Sequence, residues 1–101
     1  MKPNKVLSLL GLAMRGHNLV AGEFQTENAV KDGSAMLVIV AEDASENTKK
    51  LFRDKGSFYN VPVLSYGTKE MLGRAIGREQ RSSLAVTDAG LAQAIEKAMK
   101  S

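Results

Sequence analysis

Six consecutive apolar residues, Met36-Leu37-Val38-Ile39-Val40-Ala41, sit near the middle of the chain and stop abruptly at Glu42 and Asp43. A continuous run this short and this rich in β-branched residues reads as a strand covered on both faces. A strand open to water on one side would alternate apolar with polar residues. Something else must therefore lie above and below it, and the rest of the sequence supplies helices.

Val6, Leu9, Leu10, Ala13 and Met14 recur at i, i+3, i+4, i+7 and i+8, the spacing of an amphipathic helix. Pro3 suits its first turn and Gly16 its end. Leu91, Ala94, Ile95, Ala98 and Met99 repeat the pattern behind a cap at Asp88. Between them lie a short strand over 19–21, a helix from Glu23 to Asp32 closed by Gly33, and a helix through Thr48, Leu51 and Phe52 stopping near Gly56. A strand from Val61 to Tyr66 follows, with Pro62 near its start, where a missing donor does least harm. Thr68 caps a short helix bearing Met71, Leu72, Ala75 and Ile76 and ended by Gly77, and a strand follows over 84–86. Strands alternating with helices predict an α/β chain, a three-layer α/β/α sandwich with a small mixed sheet. With 101 residues and 44% hydrophobic content, one domain spanning residues 1–101 is expected.

Several chemistries lack the residues they need. The chain has no cysteine, so disulfides and thiolate metal sites are excluded, and a single histidine, His17, rules out a multi-histidine metal centre. Flanked by Gly16 and Asn18, His17 reads as a solvated loop residue. No nucleophile elbow, dinucleotide fingerprint or phosphate loop occurs, and the glycines at 67, 73 and 77 read as turn and cap residues. Gly11 interrupts the apolar stretch 6–14, which lacks a small-residue cleavage pattern, and no run approaches a membrane span. A cytoplasmic setting without a membrane partner is expected. Glu42 and Asp43 fall between a strand and a helix, where carboxylates accept from the unpaired N–H groups of a first turn. Asp43, three residues before Glu46, resembles the capping box of the helix that follows. Neighbouring carboxylates point apart, so a paired acid/base role is not expected. The expectation is a non-enzymatic protein with no cofactor.

The charge excess is mild: net +3, with a pI near 9.3. It permits a polyanionic partner without demanding one. Lys49, Lys50, Arg53 and Lys55 share one helix and read as a solvated face. Arg74, Arg78 and Arg81 bracket Gly77, with Gln80, Ser82 and Ser83 alongside. Such a loop can contact phosphates and splayed bases, although a plain polar surface loop has the same composition.

"AGEFQTENAVKDGSAMLVIVAED" (21–43) and "NVPVLSYGTKEMLGRAIG" (60–77) resemble the ribosomal protein L7Ae family of kink-turn RNA binders, in its small bacterial ribosome-associated branch. The resemblance runs from Gly22 to Val86. Its most specific parts are the Gly22 turn with its helix, the strand ending Ala41-Glu42-Asp43, and Leu72-Gly73-x-Ala75-x-Gly77. It implies an α/β/α sandwich and a grip on structured RNA of ribosomal origin by two elements, the helix after Gly22 and the loop after the short fourth helix. On the first these are Gly22, Glu23, Phe24, Gln25, Asn28 and Lys31; on the second, Arg78, Glu79, Gln80, Arg81 and Ser82. The family's helix motif is Gly-x-Asn-Glu-x-x-Lys. Its glycine falls on Gly22, but this chain carries Phe24, Gln25 and Asn28 where the family has Asn, Glu and Lys. Phe24 and Asn28 lie one turn apart and share a surface, either the core or the RNA face. Two other functions fit the same residues: a module docking on ribosomal or translation proteins, and an accessory unit of an RNA-modifying enzyme.

Overall fold

The computed structural model describes residues 4–100. In chain order it contains α1 (Lys5–Arg15), β1 (Leu19–Ala21), α2 (Glu23–Lys31), β2 (Leu37–Val40), α3 (Glu46–Tyr59), β3 (Val63–Ser65), α4 (Lys69–Ala75), β4 (Ser83–Val86) and α5 (Ala89–Lys100). The strands form one sheet in the order β1-β4-β2-β3. β4 runs antiparallel to both of its neighbours, and β2 pairs with β3 in parallel. All of β2 is buried, as its unbroken apolar run requires.

α1 packs on α4 and α5, and α2 packs on α3. The two groups cover opposite faces of the sheet, which is the expected α/β/α sandwich. Leu10 and Ile95 on one side and Val30 and Phe52 on the other are fully buried against the strands. Removing such side chains costs about 2–5 kcal/mol each, so these contacts dominate stability.

Three local expectations are corrected. α3 does not stop near Gly56; it continues to Tyr59 and ends at Asn60, whose φ of 62° is the left-handed cap conformation. Gly56 is instead a packing residue: a Cβ there would collide with the Cγ2 of Val63 and sit 2.8 Å from the Val61 carbonyl oxygen. Gly73 is likewise buried inside α4 rather than capping it. Finally, α3 is capped by Ser45, whose hydroxyl accepts from the Thr48 N–H at 3.1 Å. A turn closed by Ala44 N–H on the Ala41 carbonyl carries the chain past Asp43 before the helix begins. The expected caps at Thr68 and Asp88 are present, accepting from Met71 and Leu91 at 3.1 and 2.8 Å. Gly16 ends α1; Pro3 lies outside the described residues.

Asp43 is still a cap, but for a different helix. Its carboxylate accepts at 2.8 Å from the N–H of Lys69, the first residue of α4. The parallel pairing of β2 with β3 sets the ends of the two strands side by side. Asp43→Ala should therefore lower stability by about 1 kcal/mol, the usual worth of a cap, and loosen α4 rather than α3. Hydrogen exchange that showed early opening of α3 and an undisturbed α4 in this variant would contradict the assignment.

Candidate nucleic-acid interface

The sheet topology gathers the site. β1, β2 and β3 run in one direction and β4 in the other. Gly22, the Ala41–Asp43 turn, the Tyr66–Thr68 turn and the segment leading into Ser83 therefore share one rim. Hydrogen bonds tie them together. Gly22 N–H donates to the Ser83 carbonyl at 3.0 Å, Ala41 N–H to Ser82 at 2.9 Å, and Glu42 N–H to Gly67 at 2.7 Å. The two elements implied by the resemblance are thus neighbours, although they lie far apart in sequence.

Three helices start at this rim, and one start is open. α3 is capped by Ser45, and α4 by Thr68 and Asp43. α2 begins at Gly22, which has φ 102° and offers no side-chain cap. A β-carbon at Gly22 would meet nothing within 4 Å, so the position requires glycine for its backbone angle and not for space. The first intrahelical bond, Thr26 N–H to Gly22 at 2.9 Å, leaves the N–H groups of Glu23, Phe24 and Gln25 without helical partners. Beside them Phe24 is 73% exposed, and Glu23, Gln25 and Asn28 are exposed as well. This settles the two faces left open by the sequence: the Phe24–Asn28 face points to solvent. Lys31 continues the same stripe, but about 10 Å farther along at 1.5 Å per residue, and it pairs with Glu27 at 3.2 Å. The structure does not bring it to the rim.

The segment 77–82 leads into the same rim, where Ala41 N–H donates to the Ser82 carbonyl. Arg78 N–H donates to Gly73 at 2.8 Å, and Arg81 N–H to Lys69 at 3.1 Å, so the loop is laced to α4. A cleft of about 650 Å³ separates them, lined by Arg74, Arg78, Glu79 and Gln80 among others. The three arginines differ in role. Arg74 pairs with Glu70 at 3.0 Å. Arg81 turns back on its own loop, donating to the carbonyls of Gln80 at 2.9 Å and Glu79 at 3.3 Å. Arg78 is exposed and has no side-chain partner among the described residues. Ser82 is half-buried and contributes its carbonyl to the sheet.

Two features escaped the sequence reading. Thr26 and Ser83 are fully buried, and their hydroxyls have no hydrogen-bond partner among the described residues. Ser83 aligns with Val40 and Ser65, on the sheet face that meets Gly56 of α3 through Val63. Small side chains there let α2 sit close against β4 directly behind Gly22. The second feature is charge. Lys69, Arg74, Arg78 and Arg81 are answered at the rim by Glu23, Glu42, Asp43, Glu70 and Glu79. The rim is rich in polar donors and acceptors but carries no cationic excess.

Among the described residues no cluster of metal-ligating side chains occurs, and no helix is long and apolar enough to cross a membrane. The family model for ribosomal protein L7Ae/L30e/S12e/Gadd45 matches residues 4–96. The RNA-binding protein YlxQ of Bacillus subtilis (strain 168) is 44% identical over 84 residues, covering 83% of this chain and 84% of its own. The large ribosomal subunit protein eL30 of Methanosarcina mazei is 34% identical over 92 residues, covering 89% and 84%. A solved structure of a protein with unknown function from Bacillus halodurans matches with a TM-score of 0.94 at 42% identity, covering 98% of this chain and all of that one. With the profile spanning nearly the whole chain and the fold in agreement, the protein belongs to the ribosomal protein L7Ae/L30e/S12e/Gadd45 family.

Proposed function

We propose that this chain is a non-enzymatic RNA-binding protein that grips structured, kink-turn-like RNA at the rim, in a ribosome-associated, cytoplasmic setting. The observation that carries the reading is the open N-terminus of α2, flanked by exposed Phe24, Gln25 and Asn28, on the rim that the Arg78 loop joins at Ser82 and Ser83. Unpartnered backbone N–H groups at a helix start accept phosphate or base oxygens, and an exposed phenyl ring stacks on an unpaired base. The relatives support it by name: one is an RNA-binding protein and another a large-subunit ribosomal protein.

The test is a titration against a kink-turn stem-loop and a plain duplex of equal length over a salt series. The stem-loop should bind more tightly. Its log–log salt slope should be shallow, about −1 to −2, if Arg78 and Lys69 each displace counterions from a phosphate, at roughly 0.9 per phosphate. Arg78→Ala should flatten the slope by about one. Arg81→Ala should instead weaken binding by freeing the carbonyls that it braces, with less change in slope. Equal affinity for both RNAs would remove the kink-turn reading. The absence of a cationic excess at the rim also favours a second reading, docking on a ribosomal or translation protein, and no measurable RNA affinity would select it.

A further inference from the structure

A second surface suits RNA better on grounds of charge. α3 carries Lys49, Lys50, Arg53 and Lys55 against Glu46 and Asp54. The helix therefore has a net charge of +2, of which the groove-lining Lys49 and Arg53, set against Glu46, supply +1, whereas the rim holds no excess. On one flank of α3 a groove of about 710 Å³ separates the helix from β3, which forms an open edge of the sheet. Lys49 and Arg53 stand along it. Ser57 and Asn60 continue the same wall, and Pro62 and Val63 form an apolar side. The Lys49 charge is only loosely answered, by Glu46 at 3.7 Å with the glutamate side chain 88% exposed.

The groove is continuous with the rim. The Ala41–Asp43 turn leads directly into α3, and Ser65, at the rim end of β3, lines the groove beside Glu46. The helix has 14 residues and is about 21 Å long, matching roughly six stacked nucleotides at about 3.4 Å each. A cleft between one helix and one strand is too narrow for a duplex. Cations along one wall that can track a backbone, with hydroxyl and amide groups for base edges and an apolar opposite wall, suit a single strand.

We infer that this groove holds a single-stranded RNA segment flanking the structured element at the rim, with Lys49 and Arg53 on its phosphates. The inference rests on the RNA-binding reading above and extends it to a second contact. It is tested with the full chain and three RNAs: the kink-turn stem-loop alone, and the same stem-loop with a six-uridine extension at its 5′ or its 3′ end. An extension at one of the two ends should tighten binding by the wild type roughly tenfold, about one charge-assisted contact's worth. It should also steepen the log–log salt slope by about 1.4, two phosphates at roughly 0.7 each. The Lys49→Ala/Arg53→Ala pair should erase both gains and leave affinity for the bare stem-loop unchanged. The Lys49→Arg/Arg53→Lys pair should keep them. Identical affinity for all three RNAs, or a gain that survives the alanine pair, overturns the inference. If the stem-loop fails to bind while a free six-uridine strand binds through Lys49 and Arg53, the groove stands and the rim reading falls; binding of neither RNA overturns both.

Discussion

Replacing Gly73 with alanine should dislodge the Arg78 loop and cut RNA affinity more than tenfold, although the new side chain is a single buried methyl group. Gly73 is buried in the middle of a seven-residue helix. A β-carbon there would collide with the carbonyl oxygen of Glu79, lie 2.6 Å from its carbon, and come within 3.0 Å of the Gln80 α-carbon. These are backbone atoms, so no rotamer change relieves the clash. The loop cannot retreat freely, because Arg78 N–H is bonded to the Gly73 carbonyl and Arg81 N–H to that of Lys69. Overpacking of this kind costs about 1–3 kcal/mol, and each hydrogen bond lost adds about 1 kcal/mol. The loop moves as the strain is relieved, and Arg78 and Gln80 leave the positions they hold beside α4 and the rim. Thermal unfolding and RNA titration of the same variant measure both consequences. A Gly73→Ala protein with wild-type melting temperature and wild-type affinity would show that the loop's seat on α4 is not what positions the site.

Gly73 also shows where sequence reading reaches its limit. A glycine's meaning depends on what lies within a few ångströms of its absent β-carbon, and for Gly56 and Gly73 those atoms belong to residues brought close only by the fold. Periodicity has no such dependence. The apolar run of β2 and the helical spacing of α1 and α5 were legible because each states its own burial pattern residue by residue. Capping was legible where one candidate existed, at Thr68 and Asp88. It misled at Asp43, where Ser45 stood two residues on and the neighbouring strand end offered another helix to cap. For the site, composition marked the arginine loop, and the resemblance supplied the α2 residues. What joins them is the pairing of β1 with β4, which sets Gly22 against Ser83. No local pattern announces that register. Nor could the sequence reveal that Lys31 and Arg81 already have partners within the protein.

Phe24, Gln25 and Asn28 are the positions at which the exposed face of α2 departs from the Asn, Glu and Lys that the resemblance implies, and reversing them should tighten binding to a standard kink-turn at least tenfold. Such an RNA presents sheared G·A pairs, whose edges call for amide and carboxylate partners, with phosphates nearby that favour a cation. Phe24 can stack but cannot hydrogen-bond. Gln25 supplies a donor as well as an acceptor where a pure acceptor is wanted, and Asn28 brings no charge. Each missing charge-assisted contact forfeits about 1.5–3 kcal/mol, or roughly ten- to a hundredfold in affinity. The structure makes the reversal feasible, because all three side chains are exposed and substitutions at such sites usually alter stability by less than about 0.5 kcal/mol. A glutamate at position 25 also lies in the first turn of a helix without a side-chain cap, where a negative charge is favourable. The three positions share one helical surface, so their contributions need not add. The measurement compares the wild type with the Phe24→Asn/Gln25→Glu/Asn28→Lys variant on one kink-turn RNA at one fixed salt concentration, with melting curves to verify an intact fold. A tighter variant would identify the wild-type face as tuned to a different RNA, one that offers an unpaired base to the Phe24 ring. Equal affinities would mean instead that backbone N–H groups and the Arg78 loop carry recognition whatever the α2 side chains are.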